Sequence, residues 1–181
     1  MVIGIDLDST LVKLNTVTRA SMELGYGFDD THVEDWHQTN FPEDLRKRIF
    51  ELFVCDRHMN HLAMPIDGAQ EKLNEWKAAG HEIHVVTARV NQIRKNTISM
   101  VEKFFPRVSS VRFVDMHSTK IPILRELNAD VWIDDAPHGV QESTASKINT
   151  FLISNKYTKY NWHVRDLPGI TVVKSVGEII L

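Results

Sequence analysis

Apolar positions along this chain gather into short continuous runs, separated by longer stretches of helical period. Four runs close on a polar residue: Val2-Ile-Gly-Ile-Asp6, Glu82-Ile-His-Val-Val-Thr87, Val111-Arg-Phe-Val-Asp115 and Val131-Trp-Ile-Asp-Asp135. Two more come later, Thr150-Phe-Leu-Ile-Ser154 and Ile170-Thr-Val-Val-Lys174. Continuous β-branched runs suit a parallel sheet covered on both faces. Between the runs the period changes. Asp67 to Ala79 sets Ala69, Leu73 and Trp76 on one helical face and stops at Gly80. Gln92 to Phe104 precedes Pro106, and Thr119 to Leu127 leads into the fourth run. Strand and helix in alternation predict an α/β domain with right-handed crossovers.

That rhythm breaks between Leu14 and about Leu62, where no strand is expected. Leu14 to Leu24 reads as a helix ending at Gly25. Pro42 to Cys55 carries Leu45, Ile49, Leu52 and Phe53 on one face, with Pro42 suited to a first helical turn. Residues 26–40 read as loop-rich. The expected organisation is a core of residues 1–13 and 63–181, with a helical subdomain, 14–62, inserted after the first strand.

Composition narrows the function classes. With 181 residues and a formal net charge of −3, the chain has no electrostatic footprint for polymeric nucleic acid. The single cysteine, Cys55, excludes an internal disulfide and a multi-cysteine metal site. Asp6 comes too early for a signal-peptide apolar region, and no apolar run approaches the ~20 residues that span a bilayer. The expectation is a cytoplasmic protein with no membrane partner; a homo-oligomer is compatible with the composition.

The chemistry concentrates in Ile5-Asp6-Leu7-Asp8-Ser9-Thr10-Leu11. A strand delivers two carboxylates, one residue apart, into a turn, and open α/β sheets bind ligands beyond the carboxyl ends of their strands. A second acidic pair, Asp134-Asp135, ends another strand. If the two strands are neighbours, three or four carboxylates converge, and a hard divalent cation relieves their repulsion. The bland alternative is two solvated turns with acidic ends, which the apolar strands before both pairs disfavour.

In these residues the chain resembles the haloacid dehalogenase superfamily of phosphohydrolases. Asp6, Asp8 and Thr10 match its first motif, Thr87 in Val85-Val86-Thr87-Ala88-Arg89 its second, Lys120 its third, and Asp134 with Asp135 its fourth. The usual Gly after the second Asp is Ser9 here. The resemblance implies a Rossmann-like doubly wound core with a helical cap of the type inserted after the first strand. It also implies a division of labour. Asp6 is the nucleophile that forms an aspartyl-phosphate, and Asp8 the general acid and base. Thr87, Ala88 and Lys120 hold the phosphoryl group. Asp6, Asp134 and the Asp8 carbonyl hold Mg²⁺. Asp135 is a ligand or orients one. Thr10 serves the turn, and Arg89 either contacts phosphate or caps its strand.

Within that superfamily the chain is similar to the 5′(3′)-deoxyribonucleotidase group. The residues that carry this are Glu34-Asp35-Trp36, Met64-Pro65-Ile66-Asp67-Gly68-Ala69, His81 to Arg89 and Tyr160-Asn161-Trp162. A nucleoside monophosphate is therefore the expected small-molecule partner. Phe28 and Trp36, beside an acidic loop, are the candidates to stack on its base, whereas Phe53 reads as structural. Other readings are a sugar phosphatase, a protein phosphatase or a non-catalytic phosphate-binding module. The pairs His58/His61 and His81/His84 have metal-ligand spacing but read better as surface or cap residues. Trp76 and Trp132 read as core by their periodicity.

Overall fold

The computed structural model describes residues 1–27, 41–54, 62–115 and 118–181. Its elements are β1 (Val2–Ile5), β2 (Val12–Leu14), α1 (Thr16–Leu24), α2 (Glu43–Val54), β3 (Ala63–Pro65), α3 (Ala69–Ala78), β4 (Glu82–Thr87), α4 (Arg94–Phe104), β5 (Ser110–Phe113), α5 (Ile121–Glu126), β6 (Val131–Asp134), α6 (Pro137–Ala145), β7 (Asn149–Ile153) and β8 (Ile170–Val173). All six expected strands form one parallel sheet in the order β5-β4-β1-β6-β7-β8. The chain winds outward from β1 through β4 to β5, then crosses back to β6 and winds the other way. The reversal falls at β1, so the carboxyl ends of β1, β4 and β6 open on one crevice.

Side chains alternate across this sheet, as strand geometry requires. Ile3, Ile5, Ile83, Val85, Val131, Ile133, Phe151 and Ile153 share one core with Leu73 and Trp76 of α3 and Met100 and Val101 of α4. Trp132 and Val86 point to the other face, where Ile121 and Leu124 of α5 cover them. Val140 of α6 and Val164 cover Leu152. Burying each large apolar side chain contributes about 1.5–3 kcal/mol, which makes β1, with Ile3 and Ile5 fully buried, an anchor for the loop that begins at Asp6. Gly4 pairs with Trp132 in register, and a Cβ there would lie 2.6 Å from Leu124 Cδ2 and 3.0 Å from the indole. The missing side chain is what leaves room for Trp132 and Leu124 beside the central strand.

Two features depart from the sequence expectation. The antiparallel ribbon β2–β3 brackets the inserted segment, with Val12, Lys13 and Leu14 facing Pro65, Met64 and Ala63. Three-residue strands are too short to show a period. Helix α6 is the second, because the sequence reading assigns no element between Asp135 and Thr150. Pro137 occupies a first-turn position, where its missing N–H is harmless. Between β2 and β3, α1 and α2 build an apolar cluster of their own from Val17, Ala20, Phe41, Leu45, Ile49, Leu52 and Leu62. Phe53 is not in it. No helix among the described residues is long and apolar enough to cross a membrane.

Candidate active site

Two strands deliver the acidic residues to the crevice, and the start of α5 delivers a basic one. Asp6 comes directly after β1 and is fixed by its own N–H, which donates to the Ile133 carbonyl at 2.9 Å. Asp134 ends β6, and Asp135 is the next residue. One carboxylate oxygen from each of Asp6, Asp134 and Asp135 lies within 4.8 Å of the other two, and all three residues are buried. Lys120, just before α5, reaches over the Trp132 ring, 4.9 Å from its centroid. Its Nζ donates to Asp6 Oδ1 at 2.6 Å and to Asp134 Oδ2 at 3.1 Å.

One ammonium does not balance three carboxyls. Burial first, then Asp134 and Asp8, pushes the Asp6 carboxyl up to about 7, and Lys120 only partly opposes this. Burial, with Asp134 and Asp6, pushes Asp135 well above the usual carboxylate range. Burial opposes the Lys120 charge, but the Asp134 and Asp6 carboxylates more than offset it and hold the ammonium above its ordinary value. A site this rich in crowded oxygen ligands suits a hard divalent cation. Space for the ligand set is built in. A Cβ on Gly139 of α6 would stand 2.2 Å from Asp134 Oδ2, so only glycine lets the helix pass. Asp134 Oδ1 is aimed by the Ala136 N–H at 3.0 Å.

Asp135 is occupied differently. Its Oδ1 accepts from Thr10 Oγ1 at 3.0 Å and its Oδ2 from the Tyr160 hydroxyl at 2.5 Å. Asn161 Nδ2 donates to the Asp135 carbonyl at 2.7 Å, and Ser154 Oγ donates to Asn161 Oδ1 at 2.8 Å. Both Asp135 oxygens are thus engaged by hydroxyls, which hold the end of β6 in place. Thr10 therefore does more than serve the turn: its hydroxyl ties the β1 loop to β6. The turn itself places Ser9 at φ +62°, a conformation that favours glycine and explains the residue usual there.

Asp8 stands apart from this cluster. Its carboxylate takes a two-pronged grip from Arg89, Nε to Oδ2 at 2.8 Å and Nη2 to Oδ1 at 2.6 Å. The sequence expectation for Arg89 is a phosphate contact or a strand cap. In the structure its buried side chain turns back toward the β1 loop and grips Asp8. Thr87 is buried at the end of β4, its Oγ1 accepting the Arg89 N–H at 3.3 Å, so the hydroxyl keeps its own proton to donate. Ala88 lies half-buried between them. Phe53, expected to be structural, turns its ring to Arg89, with the guanidinium carbon 5.9 Å from the centroid.

Phe28, Trp36, His58 and His61 lie outside the described residues. His84 is buried, with Nδ1 2.8 Å from Ser110 Oγ, so it is a packed residue rather than a surface one. Trp76 and Trp132 are buried, as their periodicity predicts. Beyond the first-motif match of Thr10 and the Tyr160-Asn161-Trp162 resemblance, the links made by Thr10, Tyr160 and Gly139 have no local signature in the sequence.

The family described as "5′ nucleotidase, deoxy (Pyrimidine), cytosolic type C protein" matches residues 1–180. A Bacillus cereus protein described as "Putative nucleotidase" is 32% identical over 190 residues, covering 99% of this chain and 98% of its own. Among solved structures, a "Putative haloacid dehalogenase-like hydrolase" from Bacteroides fragilis aligns with TM-score 0.69 at 13% identity, over 99% of both chains. The HAD phosphatase from Thermococcus onnurineus aligns with TM-score 0.62 at 13% identity, over 97% of this chain and 94% of its own. At these identities the structural likenesses speak for the fold.

Proposed function

Since the chain belongs to the 5′ nucleotidase, deoxy (pyrimidine), cytosolic type C family of haloacid dehalogenase-like phosphatases, we propose that it hydrolyses a nucleoside monophosphate through an aspartyl-phosphate on Asp6. The observation that carries this reading is the grouping of Asp6, Asp134 and Lys120 at the sheet's reversal point, with Asp8 held separately beside it. Asp6 attacks phosphorus, and the bond to the leaving oxygen breaks. Asp8 gives its proton to that oxygen, then takes one from the water that releases phosphate from Asp6. Lys120 and the Thr87 hydroxyl bind the phosphoryl oxygens, with Ala88 presenting backbone beside them. Mg²⁺, held by Asp6, Asp134 and the Asp8 carbonyl, would supply the positive charge that lets one anion approach another.

Residues 14–62 act as the cap in this reading. Their separate apolar cluster and the ribbon at their two ends support a unit that folds over the crevice. Phosphate-binding groups treat monoesters alike, so Phe28 and Trp36 in the cap are the proposed stacking residues. A cytoplasmic location fits the substrate class. The test is phosphate release from a panel of nucleoside monophosphates, sugar phosphates and phosphopeptides. Magnesium-dependent release, fastest with a nucleotide and abolished by chelator, is expected. Preference for a sugar phosphate over every nucleotide would remove the nucleotidase reading, and chelator-resistant release would remove the cation.

A further inference from the structure

We propose that Arg89 is the positioning residue for Asp8, and that Phe53 in α2 acts on Asp8 through it; this rests on the phosphatase reading above. An aspartate in a turn has two free torsions, and its carboxylate plane is undetermined until something fixes both oxygens. A guanidinium does so with two parallel N–H···O bonds, whereas an ammonium fixes only one. Arg89 makes both bonds from a side chain that is 1% exposed. The remaining nitrogen, Nη1, lies 3.4 Å from Thr97 Oγ1 and 3.8 Å from Met100 Sδ, both on α4. The fork is thus anchored in the core, and the Asp8 carboxylate is turned out of the Asp6–Asp134–Asp135 cluster. That is where an acid serving the leaving group should be, rather than a side-chain cation ligand. Phe53 reaches the fork from the inserted segment, so the seating of α2 bears on the angle at which Arg89 holds Asp8.

The chemistry supplies a discriminating readout. A nucleoside 5′-oxygen must receive a proton as its bond to phosphorus breaks. In the phosphatase reading Asp8 delivers it from the second lone pair of an oxygen that Arg89 grips by the first. A p-nitrophenolate leaves without a proton. The ratio kcat/KM reports events up to departure of the leaving group, before Asp8 acts on water. A loosened Asp8 therefore lowers kcat/KM for the nucleotide much more than for the aryl ester. A residue that merely supports the fold would lower both alike.

The experiment compares thymidine 5′-monophosphate with p-nitrophenyl phosphate for wild type, Arg89→Met, Arg89→Lys and Arg89→Ala. Arg89→Met should lose about 100-fold in nucleotide kcat/KM and less than about 10-fold on the aryl ester, as expected for a misplaced general acid. Arg89→Lys keeps charge and bulk and should show the same split, more weakly. Millimolar guanidinium should partly restore Arg89→Ala on the nucleotide. Phe53→Ala should cause a several-fold split that vanishes in the Arg89→Met background, because the pair then has nothing left to couple. Equal losses on both substrates, no loss, or a Phe53→Ala effect that persists without Arg89 would overturn the proposal. Without substrate or cation, the Arg89 Nε–H should give a slowly exchanging NMR signal that Asp8→Asn abolishes. Its absence from the wild type would also overturn it. If the wild type cleaves neither substrate, the phosphatase reading fails, and the Nε–H signal still decides whether the fork exists.

Discussion

Two aspartates one residue apart, Asp6 and Asp8, meet opposite electrostatic surroundings. Asp8 has a full counter-charge in Arg89, and its side chain is 29% exposed. Asp6 shares one ammonium with Asp134 beside a third buried carboxyl, and its side chain is 10% exposed. The first carboxylate is balanced within the protein; the second is left in deficit. That difference fits the proposed roles. A nucleophile that must meet an anionic substrate needs a cation beside it, whereas an acid–base group needs a fixed orientation. It also shows why a motif of two identical residues is two sites rather than one.

The comparison breaks most visibly in turnover. Asp6→Asn should lose at least about 1,000-fold in phosphate release while keeping its fold, since the attacking oxygen is gone. Steady-state assay with a circular dichroism control checks this, and a rate near wild type would sink the nucleophile assignment.

Stability should then separate the two positions in sign. Asp8→Asn leaves the Arg89 guanidinium buried without its partner. The expected loss is about 2–3 kcal/mol, below that for a fully buried pair because Asp8 is partly exposed. Asp6→Asn removes a charge from an over-anionic cluster and should stabilise the metal-free protein by about 1 kcal/mol at about pH 8. Urea midpoints of the two variants decide it; a shift of the same sign for both would reject the contrast.

Gly139→Ala probes the ligand set. Its Cβ would fall 2.2 Å from Asp134 Oδ2, so Asp134 must move. A loss of about 1–3 kcal/mol by overpacking is expected, with a weaker Mg²⁺ affinity by about 10-fold. Calorimetric titration with Mg²⁺ reads the affinity directly, and an unchanged value would place Asp134 outside the ligand set.

The pH dependence comes from Asp6. Its carboxyl stands near 7 in the folded chain against an ordinary 3.8. Between those values the folded state holds a proton that the unfolded state has released. Its contribution is therefore fully present below about pH 4 and is lost as pH rises through 7. Thermal midpoints of the metal-free protein should fall across that window, and Mg²⁺ should raise them more at pH 8 than at pH 5. An equal magnesium effect at both would count against a cation on Asp6. The smallest effect is expected from Ser9→Gly. Relief of the left-handed residue should stabilise by less than about 1 kcal/mol, because the Ser9 contact to Tyr160 is lost with it. A chemical denaturation midpoint below that of wild type would show that the Ser9 contact outweighs the backbone relief.

The sheet is legible in the sequence because its evidence is local. The runs ending at Asp6, Thr87 and Asp134 announce both the strand and the polar residue it delivers, and each lies where expected. The ribbon β2–β3 and helix α6 are not legible: three residues carry no period, and a proline and a glycine in the first turn obscure a helix. Arg89 escapes for another reason. Its position after Thr87 gives its distance from the strand end, but not the direction of a long side chain, which the packing of Thr97 and Met100 sets.

By itself, then, the sequence determined which residue types end which strands, because periodicity and spacing are properties of neighbouring positions. The partners were decided by tertiary structure alone. Arg89 reaches Asp8 across 81 residues, Thr10 reaches Asp135 across 125, and Tyr160 reaches it across 25. Those meetings depend on β1 lying between β4 and β6, and on two glycines leaving room for Trp132 and Asp134. Strand order and close packing arise when the whole chain buries its apolar faces together, and no short window of residues encodes that result.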